Sequence, residues 1–258
     1  MLILLSPAKT LDFETTPKTD KASKPVFSGN TNKLVKKMQE KSPEDISKLM
    51  GISASLANLN ADRFRTFSTR GANQKNSKQA ILAFRGDVYQ GLNAQSYTER
   101  DFAFAQNHLR ILSGLYGILK PLDLIQPHRL EMGTKLKTEK GNSLYEFWGE
   151  KIQGSILREL STHKNQTIIN LASLEYFKAV AQITSKSRII TPIFKDYNKG
   201  TFRIISFFAK KARGNMASFV IQNRITSPNE IKNFAEDGYI FNESLSSGRE
   251  WIFTRKTS

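Results

Sequence analysis

Residues 202–224 read Phe-Arg-Ile-Ile-Ser-Phe-Phe-Ala-Lys-Lys-Ala-Arg-Gly-Asn-Met-Ala-Ser-Phe-Val-Ile-Gln-Asn-Arg, and this stretch does most to decide the fold. Its first seven residues form an apolar run with β-branched and aromatic side chains, which predicts a buried strand over residues 202–208. From Ala209 onward the apolar residues recur at helical spacing. The stretch therefore predicts a strand that leads directly into a helix.

The predicted helix has a basic flank. At roughly 100° per residue, Lys210, Arg213 and Arg224 fall together with only Ala217 between them. We call these three residues the basic strip. Residues 195–224 contain seven Lys or Arg against one acid, and they contribute +6 to the formal net charge of +16. The positive charge of the chain is concentrated here.

Composition narrows the class of protein. The 258 residues are 39% hydrophobic and include 17 Phe, which is enough for a sizeable core. A net charge of +16 attracts polyanions, so nucleic acid is the leading partner, and charge that serves only solubility is the alternative. The absence of Cys excludes disulfides, thiolate nucleophiles and Cys-ligated metals. The three His are isolated, so we predict no metal and no cofactor, while a carboxylate metal site stays open.

The amino-terminal residues Met-Leu-Ile-Leu-Leu are apolar, but the run is only five residues long. A membrane span needs about 18 apolar residues, and no later run approaches that length. No basic segment precedes the apolar run. We therefore predict an amino-terminal strand in a cytoplasmic protein that has no membrane partner.

Strand and helix patterns interleave along the whole chain. Helix starts are predicted at Ser42 and Ser227, each followed by Pro, and at Thr98. Residues 12–25 read as a long polar loop that needs contacts from elsewhere to be ordered. Further strands are predicted at residues 81–84, 167–171, 188–194, 239–241 and 251–254, the last two as a hairpin. The alternation fits an α/β or α+β fold, and we predict a single domain over residues 1–258.

Residues 43–66 contain two short helical patterns separated by Leu-Met-Gly-Ile-Ser, which resembles a helix-hairpin-helix. Gly51 would allow a tight turn, so that backbone N–H groups at the start of the second helix could face a DNA phosphate. Ser53 would cap that second helix. An ordinary αα-hairpin with a glycine turn has the same pattern and is the alternative.

Three predicted strands are each followed by polar residues, at positions where loops commonly carry function: Lys9, then Asp87 with Tyr89, then Glu175 with Tyr176. These groups would share one cleft if their strands are neighbours that point the same way. A lysine in such a place could attack an abasic sugar or bind phosphate. Ordinary loop polarity is the alternative.

The loop-rich residues 110–133 supply further groups suited to acid–base chemistry: Ser113, Tyr116, Asp123, Arg129 and Glu131. The glycine spacing in this stretch matches neither a P-loop nor a dinucleotide-binding fingerprint. No nucleotide site is therefore predicted, and loop architecture alone is the alternative reading.

Six segments together closely resemble the YaaA peroxide-stress protein family: Ser-Pro-Ala-Lys-Thr-Leu-Asp at 6–12, Ala-Ile-Leu-Ala-Phe-Arg-Gly-Asp-Val-Tyr at 80–89, Leu-Ser-Gly-Leu-Tyr-Gly at 112–117, Pro-Leu-Asp-Leu at 121–124, Arg-Leu-Glu-Met-Gly at 129–133 and Phe-Phe-Ala-Lys-Lys-Ala-Arg-Gly at 207–214. They occur in the right order and span nearly the whole chain. The resemblance implies a cytoplasmic DNA-binding protein of the oxidative-stress response. It also implies a mixed α/β fold of the family's own, with a central sheet, a basic cleft and a helix-hairpin-helix.

Carried over residue by residue, the resemblance maps the hairpin onto residues 49–53 and the basic cleft onto Lys210, Lys211 and Arg213. The general hairpin pattern has glycines on both sides of an apolar residue, whereas Gly51-Ile52-Ser53 keeps only the first. The resemblance supplies no catalytic residues.

Three hypotheses about function follow. The first is a DNA-binding protein of peroxide defence that grips phosphates and protects DNA or helps its repair. The second is a glycosylase- or lyase-like enzyme acting on damaged DNA, with its candidate groups around a base-sized pocket: Lys9, Asp87, Asp123, Arg129 and Glu131. The third, suggested only by the family's role in limiting iron-driven damage, is iron sequestration by carboxylates.

Overall fold

Twelve strands are found in the computed structural model, which describes residues 1–68, 76–185 and 187–256. In chain order they are β1 (Leu2–Leu5), β2 (Thr10–Leu11), β3 (Lys78–Gln79), β4 (Phe84–Arg85), β5 (Leu109–Ser113), β6 (Gly117–Leu119), β7 (Leu124–Ile125), β8 (Thr167–Asn170), β9 (Arg188–Asn198), β10 (Thr201–Arg203), β11 (Ile240–Phe241) and β12 (Glu250–Arg255).

Ten α-helices lie in the same described ranges. They are α1 (Ser28–Gln39), α2 (Pro43–Met50), α3 (Ala54–Thr66), α4 (Ala80–Ala83), α5 (Asp87–Leu92), α6 (Glu99–His108), α7 (Leu144–Trp148), α8 (Lys151–Leu160), α9 (Leu174–Phe177) and α10 (Ser206–Gln222). Short 3-10 helices cover Ala94–Ser96, Lys178–Ser185, Pro228–Asn233 and Glu236–Gly238. Among the helices of the described residues, none combines the length and the apolar character that a membrane crossing requires.

Eight strands form one mixed sheet in the order β11-β12-β9-β8-β1-β5-β6, with β10 also paired to β9. Five neighbouring strands, β12, β9, β8, β1 and β5, run parallel. The edge strands β6, β10 and β11 run antiparallel to their partners. Helices surround this sheet. The predicted mixed α/β fold is therefore confirmed.

The apolar amino-terminal run is the centre of the sheet. All four residues of β1 are buried, and Ile3 lies opposite Leu109 on one side and Ile169 on the other. A strand that is covered on both faces is apolar throughout rather than alternating, which explains the unbroken sequence pattern. The short run therefore predicts a central strand correctly.

The segment that was predicted as a strand over residues 202–208 is only partly a strand. Residues 201–203 pair with β9 across a tight turn in which Lys199 and Gly200 have positive φ, and α10 begins at Ser206. Ile204 and Phe207 are 57% and 54% exposed, so the apolar run is not a buried strand. Apolar composition over a few residues does not separate strand from helix, and here the chain leaves the sheet early.

The predicted strand at residues 81–84 is also wrong. Residues Ala80–Ala83 form the buried helical turn α4, flanked by the two-residue strands β3 and β4. Ala and Leu favour helix, and a buried four-residue run fits either structure. Neither β3 nor β4 belongs to the central sheet, because β3 pairs with β7 and β4 pairs with β2.

Several predicted boundaries are confirmed. Ser42 and Thr98 begin α2 and α6, and each forms a reciprocal capping box with an Asp three residues later. Ser227 begins only the 3-10 helix Pro228–Asn233, without a side-chain cap. The last two strands, β11 and β12, form the predicted antiparallel hairpin.

The polar loop at residues 12–25 is ordered by buried groups from elsewhere, as its composition requires. The buried Lys78 donates a hydrogen bond from Nζ to the Thr15 carbonyl at 2.7 Å, and the same atom lies 3.5 Å from Asp12. Gln79 donates to the Thr19 carbonyl at 2.8 Å. The loop is thereby fixed against β3.

Candidate functional site

A cleft of about 500 Å³ lies at the carboxyl ends of β1 and β8, and we call it the strand-end cleft. β1 and β8 are neighbours in the sheet. The next parallel strand of the sheet after β1 is β5, on one side of this pair, and the next after β8 is β9, on the other side, so the strand order reverses between β1 and β8. In open α/β sheets, this is the point at which ligands bind. The backbone N–H of Ser173 donates to Ser6 Oγ at 2.9 Å and joins the two strand ends.

The cleft gathers five of the ten polar groups singled out in the strand-end and 110–133 segments, together with the first two residues of the basic strip. Its polar wall consists of Ser6, Lys9, Thr10, Arg85, Asp87, Glu131, Ser173, Glu175, Tyr176, Lys210 and Arg213. The three polar strand ends therefore meet in one place, as the sequence allowed. Tyr89 lies beneath them, and its hydroxyl donates to the Ser6 carbonyl at 3.0 Å.

Asp87 is positioned in the cleft by different structural elements from those predicted. It does not follow a strand of the central sheet, because β4 pairs with β2, with Thr10 opposite Arg85. This pairing holds the loop after β1 beside the start of α5. At Gly86, φ is +153°, and a Cβ there would lie 3.5 Å from Ala8 Cβ. Asp87 is the first residue of α5 and so faces the end of β1.

Two glycines bring α10 against α5. A Cβ on Gly214 would lie 1.9 Å from the Val88 carbonyl oxygen, and a Cβ on Gly91 would lie 2.1 Å from the Lys211 carbonyl oxygen. Neither position has room for a larger residue while the helices keep this crossing. The close approach of the two helices is what places Lys210 and Arg213 beside Asp87.

Glu131 is held by two cations. Lys9 Nζ lies 3.0 Å from its Oε2, while Arg129 Nε and Nη2 donate to its Oε1 at 3.1 and 2.9 Å. A Cβ on Gly114, just after β5, would lie 2.3 Å from the Leu130 carbonyl oxygen, so the segment before Glu131 crosses directly over the strand end. Arg129 thus does not line the cleft itself, and its two hydrogen bonds orient Glu131, which does.

Glu175 and Tyr176 complete the opposite wall. The Gly133 N–H donates to Glu175 Oε1 at 2.9 Å, and the Tyr145 hydroxyl donates to the Glu175 carbonyl at 2.9 Å. Burial raises the pKa of Tyr176, and the nearby carboxylates of Glu175 and Glu131 raise it further. Tyr176 therefore stays a neutral phenol at physiological pH.

Four charged groups that line the cleft lack a protein partner within the described residues. The side chains of Arg85, Asp87, Lys210 and Arg213 make no hydrogen bond and no ion pair there. Burial lowers the pKa of Arg213 from an ordinary value far above neutrality, so its guanidinium remains charged. Three cations, two of them on α10, are thus free to meet an anion from outside.

The structure does not bring Asp123 to this cleft. Asp123 is buried at the opposite edge of the sheet, where it accepts hydrogen bonds from Ser23 Oγ at 2.6 Å and from the Lys120 N–H at 2.8 Å. It lines a separate cavity of about 780 Å³ together with the ion pair of Arg110 and Glu159. Burial raises the pKa of Asp123. Its hydrogen bonds tie the long polar loop to the sheet.

Arg224 is separated from the other two residues of the basic strip. The helix ends at Gln222, and Arg224 has a left-handed backbone with φ +55°, so the helical projection does not extend to it. Its Nη1 lies 2.7 Å from Asp101 Oδ1. Lys211 is likewise paired, with Nζ 3.0 Å from Asp237 Oδ2. Lys211 lines a neighbouring cavity and not the strand-end cleft, so of the residues predicted for the basic cleft only Lys210 and Arg213 lie here.

Known proteins match this chain over almost its whole length. The family model for the peroxide stress protein YaaA matches residues 1–245. The chain belongs to the YaaA peroxide stress protein family. A UPF0246 protein of Colwellia psychrerythraea is 52% identical over 258 residues, which cover 100% of both chains. UPF0246 proteins of Teredinibacter turnerae and Saccharophagus degradans are 49% and 50% identical over 256 residues, covering 99% of this chain and 100% of each relative.

The predicted hairpin of this YaaA family member exists as a pair of helices. Gly51 ends α2 in the left-handed conformation, with φ 60° and ψ 45°, and Ser53 caps α3 by accepting from the Leu56 N–H at 3.4 Å. Ser47 Oγ donates to the Ile52 carbonyl at 2.6 Å and closes the turn. These features belong to any tight αα-hairpin, and a phosphate-binding role for Gly51 and Ser53 stays a prediction.

Sequence reasoning missed four polar residues of the cleft in this family member: Ser6, Thr10, Arg85 and Ser173. Each lies within three residues of a group that was singled out or at the immediate end of a strand. Only their position in the chain could have identified them, because a hydroxyl or guanidinium at the end of one strand lies at the same edge of the sheet as the groups that follow the neighbouring strands.

Proposed function

We propose that this YaaA family protein is a cytoplasmic DNA-binding protein that protects DNA under peroxide stress or helps its repair. It contacts the phosphates of duplex or distorted DNA at the strand-end cleft, chiefly through Lys210 and Arg213. The observation that carries the proposal is that these two neighbouring cations of α10, together with Arg85 in the same cleft, have no carboxylate partner among the described residues, in a chain of net charge +16.

The chemistry of the two side chains suits binding to a polyanion irrespective of its base sequence. Arg presents a planar fork that matches a phosphate, and Lys is a mobile point charge. Each phosphate that they neutralise releases counterions, which stabilises binding regardless of sequence. The acids Asp87, Glu131 and Glu175 lie in the same cleft and repel phosphates from its floor. The phosphates are therefore expected at the rim formed by α10.

The hairpin is proposed as a second contact. The first turn of α3 carries no acid, so its partial positive charge is not neutralised locally. Gly51, whose own N–H is donated to the Ser47 carbonyl, would contribute by permitting the tight turn, and Ser53 would begin the helix whose first N–H groups face the phosphate. Lys211 and Arg224 would add contacts only by exchanging their Asp partners for phosphate. These contributions are expected to be smaller than those of Lys210 and Arg213.

The proposal is tested by removing the two free charges. We expect the Lys210→Ala/Arg213→Ala variant to lose affinity for duplexes of unrelated sequence, by the same factor for each. The slope of its log affinity against log salt concentration should fall in magnitude by about two. The matched control is Arg158→Ala/Lys164→Ala, which removes the same charges from exposed sites beside the cavity at the opposite edge of the sheet. Wild-type affinity and slope in a folded Lys210→Ala/Arg213→Ala variant would overturn the proposal.

A second candidate function, an enzyme acting on damaged DNA, is favoured by the meeting of Lys9, Asp87 and Glu131 in one cleft. Its 500 Å³ volume falls within the roughly 300–1,000 Å³ of small-ligand sites. The Lys9 amine, after passing a proton to a neighbouring carboxylate, would add to the aldehyde carbon of an abasic sugar. Loss of water would then give an imine.

This candidate is tested with duplexes that carry an abasic site or an oxidised base, at protein excess and in the presence of borohydride. Reduction of the imine would cross-link wild-type protein to DNA, whereas Lys9→Met would abolish the cross-link and Lys164→Met would retain it. The absence of both cross-link and cleaved product from wild-type protein would dismiss the enzyme hypothesis and leave DNA binding intact.

A further inference from the structure

A second cavity, of about 380 Å³, adjoins the strand-end cleft on the same pair of helices. Val88 of α5 and Lys210 of α10 line the cleft, whereas Gln90 and Lys211 of those helices line this cavity. We call it the aromatic pocket, because its remaining wall includes Phe207 and Phe208, with Asp237 and Arg255. The cleft and this cavity therefore share the α5–α10 helix pair as a common wall.

The aromatic pocket opens onto an unusually apolar stretch of surface. Phe207 and Phe208 are 54% and 37% exposed, and Tyr197 on the β9–β10 hairpin is 42% exposed. The centroids of the Phe207 and Phe208 rings are 5.7 Å apart. Rings left in water at the start of a helix do not stabilise the core, and clustered exposed apolar groups commonly mark a binding surface.

The exposed rings are interleaved with cations. The Arg255 guanidinium carbon lies 4.7 Å from the Phe208 ring centroid, and Lys256 Nζ lies 5.3 Å from that of Tyr197. Arg255 is fixed in this position by the buried Asp196, whose Oδ1 accepts from Arg255 Nε at 2.7 Å. Arg255 is only 13% exposed and lies against both the Phe208 and the Tyr239 rings, so it holds the Phe208 ring in place at the pocket wall.

The charges around the pocket favour an anionic partner. The hairpin and its surroundings carry Lys195, Lys199 and Arg203, which have no acid partner among the described residues. The two acids here are already engaged, Asp196 by Arg255 and Asp237 by Lys211. A second copy of this basic chain would bring like charges together on the same surface. A polyanion with flat apolar groups satisfies both the charge and the rings.

We propose that the aromatic pocket binds unpaired bases of single-stranded or locally opened DNA, which stack on the exposed rings of Phe207 and Phe208. This inference rests on the proposed function, because Lys210 and Arg213 would hold the adjoining phosphates. Every base has a face that stacks on a ring or a guanidinium plane, so the pocket tolerates any sequence. The exposed Gln90 amide, which has no partner among the described residues, can hydrogen-bond to a base edge.

The test compares three DNA ligands by fluorescence anisotropy: a 20-base single strand, the same sequence as a duplex, and that duplex with one unpaired 2-aminopurine. Phe207→Ala and Phe208→Ala should each weaken single-strand binding by about 5- to 150-fold, the range that corresponds to losing one stacked base. Duplex affinity should change less than about twofold. Wild-type protein should also quench the 2-aminopurine fluorescence, and the Ala variants should not.

Two further variants make the outcome decisive. Phe207→Trp keeps a stacking ring and should retain single-strand affinity, while Val26→Ala removes an apolar side chain that is 63% exposed beside the distant 780 Å³ cavity and should change nothing. Unchanged single-strand affinity in both Phe→Ala variants, or a change in oligomeric state with no change in affinity, would overturn the inference. Failure of wild-type protein to bind the duplex would instead count against the proposed function.

Discussion

At the scale of single residues, the cleft separates charges that have protein partners from charges that lack them. Glu131 is held between Lys9 and Arg129, and Glu175 accepts from a backbone N–H. In the described part of the chain, Lys210 and Arg213 have no comparable partner. Arg213 is half-buried, so its unpartnered charge raises the free energy of the free protein, which a bound phosphate would relieve, whereas Lys210 is exposed. The lack of a partner, which Arg85 shares, distinguishes these cations from Lys9 and Arg129.

Asp12 gives a residue-level prediction about stability. Its carboxylate accepts the Thr15 and Glu14 N–H groups at 2.9 and 3.0 Å, and these bonds, with a smaller effect of Lys78, lower its pKa to about 2. Because the unfolded value is about 3.9, the carboxylate stabilises the fold above pH 4, and that stabilisation is lost as the pH falls toward 2. Asp12→Asn should lower the free energy of unfolding by about 2 kcal/mol at pH 7.

Urea unfolding at pH 7 and pH 2.5 checks this expectation. The difference between wild type and Asp12→Asn should shrink to about a third of its pH 7 value at pH 2.5, because the carboxyl is then protonated in the unfolded chain while it is still largely ionised in the folded protein. Glu14→Gln, at the exposed neighbouring position, is the control and should change the free energy of unfolding by less than about 0.5 kcal/mol. A difference between wild type and Asp12→Asn that is independent of pH would contradict the role assigned to the charge.

At the scale of elements, the crossing of α5 and α10 decides the shape of both cavities. Gly91 and Gly214 allow the backbones to touch, so that residues from each helix line the strand-end cleft on one side and the aromatic pocket on the other. The sequence places a glycine in each helix but does not show that the two glycines meet. Contact between elements distant in sequence is a property of packing and not of local pattern.

Gly214→Ala is predicted to be strongly destabilising. Its Cβ would lie 1.9 Å from the Val88 carbonyl oxygen, a backbone atom that cannot move without separating the helices. We expect a loss of about 3 kcal/mol or more in the free energy of unfolding, together with weaker duplex binding. The control is Gly154→Ala within α8, where the nearest atom to the new Cβ is Arg158 Nη1 at 3.6 Å. That variant should be stabilised by up to about 1 kcal/mol, as thermal unfolding will show.

The hairpin of α2 and α3 gives a second prediction at this scale. Ser55→Glu places an acid in the first turn of α3, which should stabilise that helix by about 0.5 kcal/mol. If the helix start faces phosphates, the same change should weaken duplex binding several-fold. Gly29→Glu makes an equivalent change in the first turn of α1, where a Cβ meets no atom within 4 Å, and should leave binding nearly unchanged. Equal duplex affinities of the two variants would show that the hairpin is not part of the proposed DNA-binding surface.

At the scale of the whole molecule, the two edges of the sheet carry different kinds of polar groups. The carboxyl edge holds the strand-end cleft with its unpartnered cations, whereas the opposite edge holds the 780 Å³ cavity, in which Asp123, Arg110 and Glu159 are tied to protein partners. Cavity size alone would point to the second site. Cations without an acid partner among the described residues line both cavities, for example Arg158 and Lys164 in the second, so it is the position between β1 and β8 that points to the first.

The net charge of +16 leads to a prediction about recognition as a whole. Two duplexes of equal length and scrambled sequence should bind with affinities that agree within about twofold, because phosphate contacts carry no base information. Competition between the two duplexes at several salt concentrations measures this directly. A preference of tenfold or more for one sequence would show that the protein contacts base edges. Phosphate contacts alone would then not explain how it recognises DNA.

The outcome at residues 9, 87 and 175 shows how far strand-end reasoning extends. Lys9 and Glu175 follow the neighbouring parallel strands β1 and β8, so their meeting follows from strand direction, which the interleaved pattern suggests. Asp87 joins them although its predicted strand is a helical turn, because β2 pairs with β4. Asp123 was an equally plausible candidate by local sequence, and it lies at the other edge.

The sequence by itself determined the features that depend on neighbouring residues: the buried apolar strand β1, the capped starts of α2 and α6, the mixed α/β class, and the concentration of positive charge on α10. Six ordered segments also identified the family. Only the tertiary structure decided which polar groups share a cleft, that Arg224 pairs with Asp101, and that Phe207 is exposed rather than part of a buried strand. The physical reason is that capping and apolar burial act over a few residues of chain, whereas the partner of a charge or a ring is chosen by strand pairing and helix crossing.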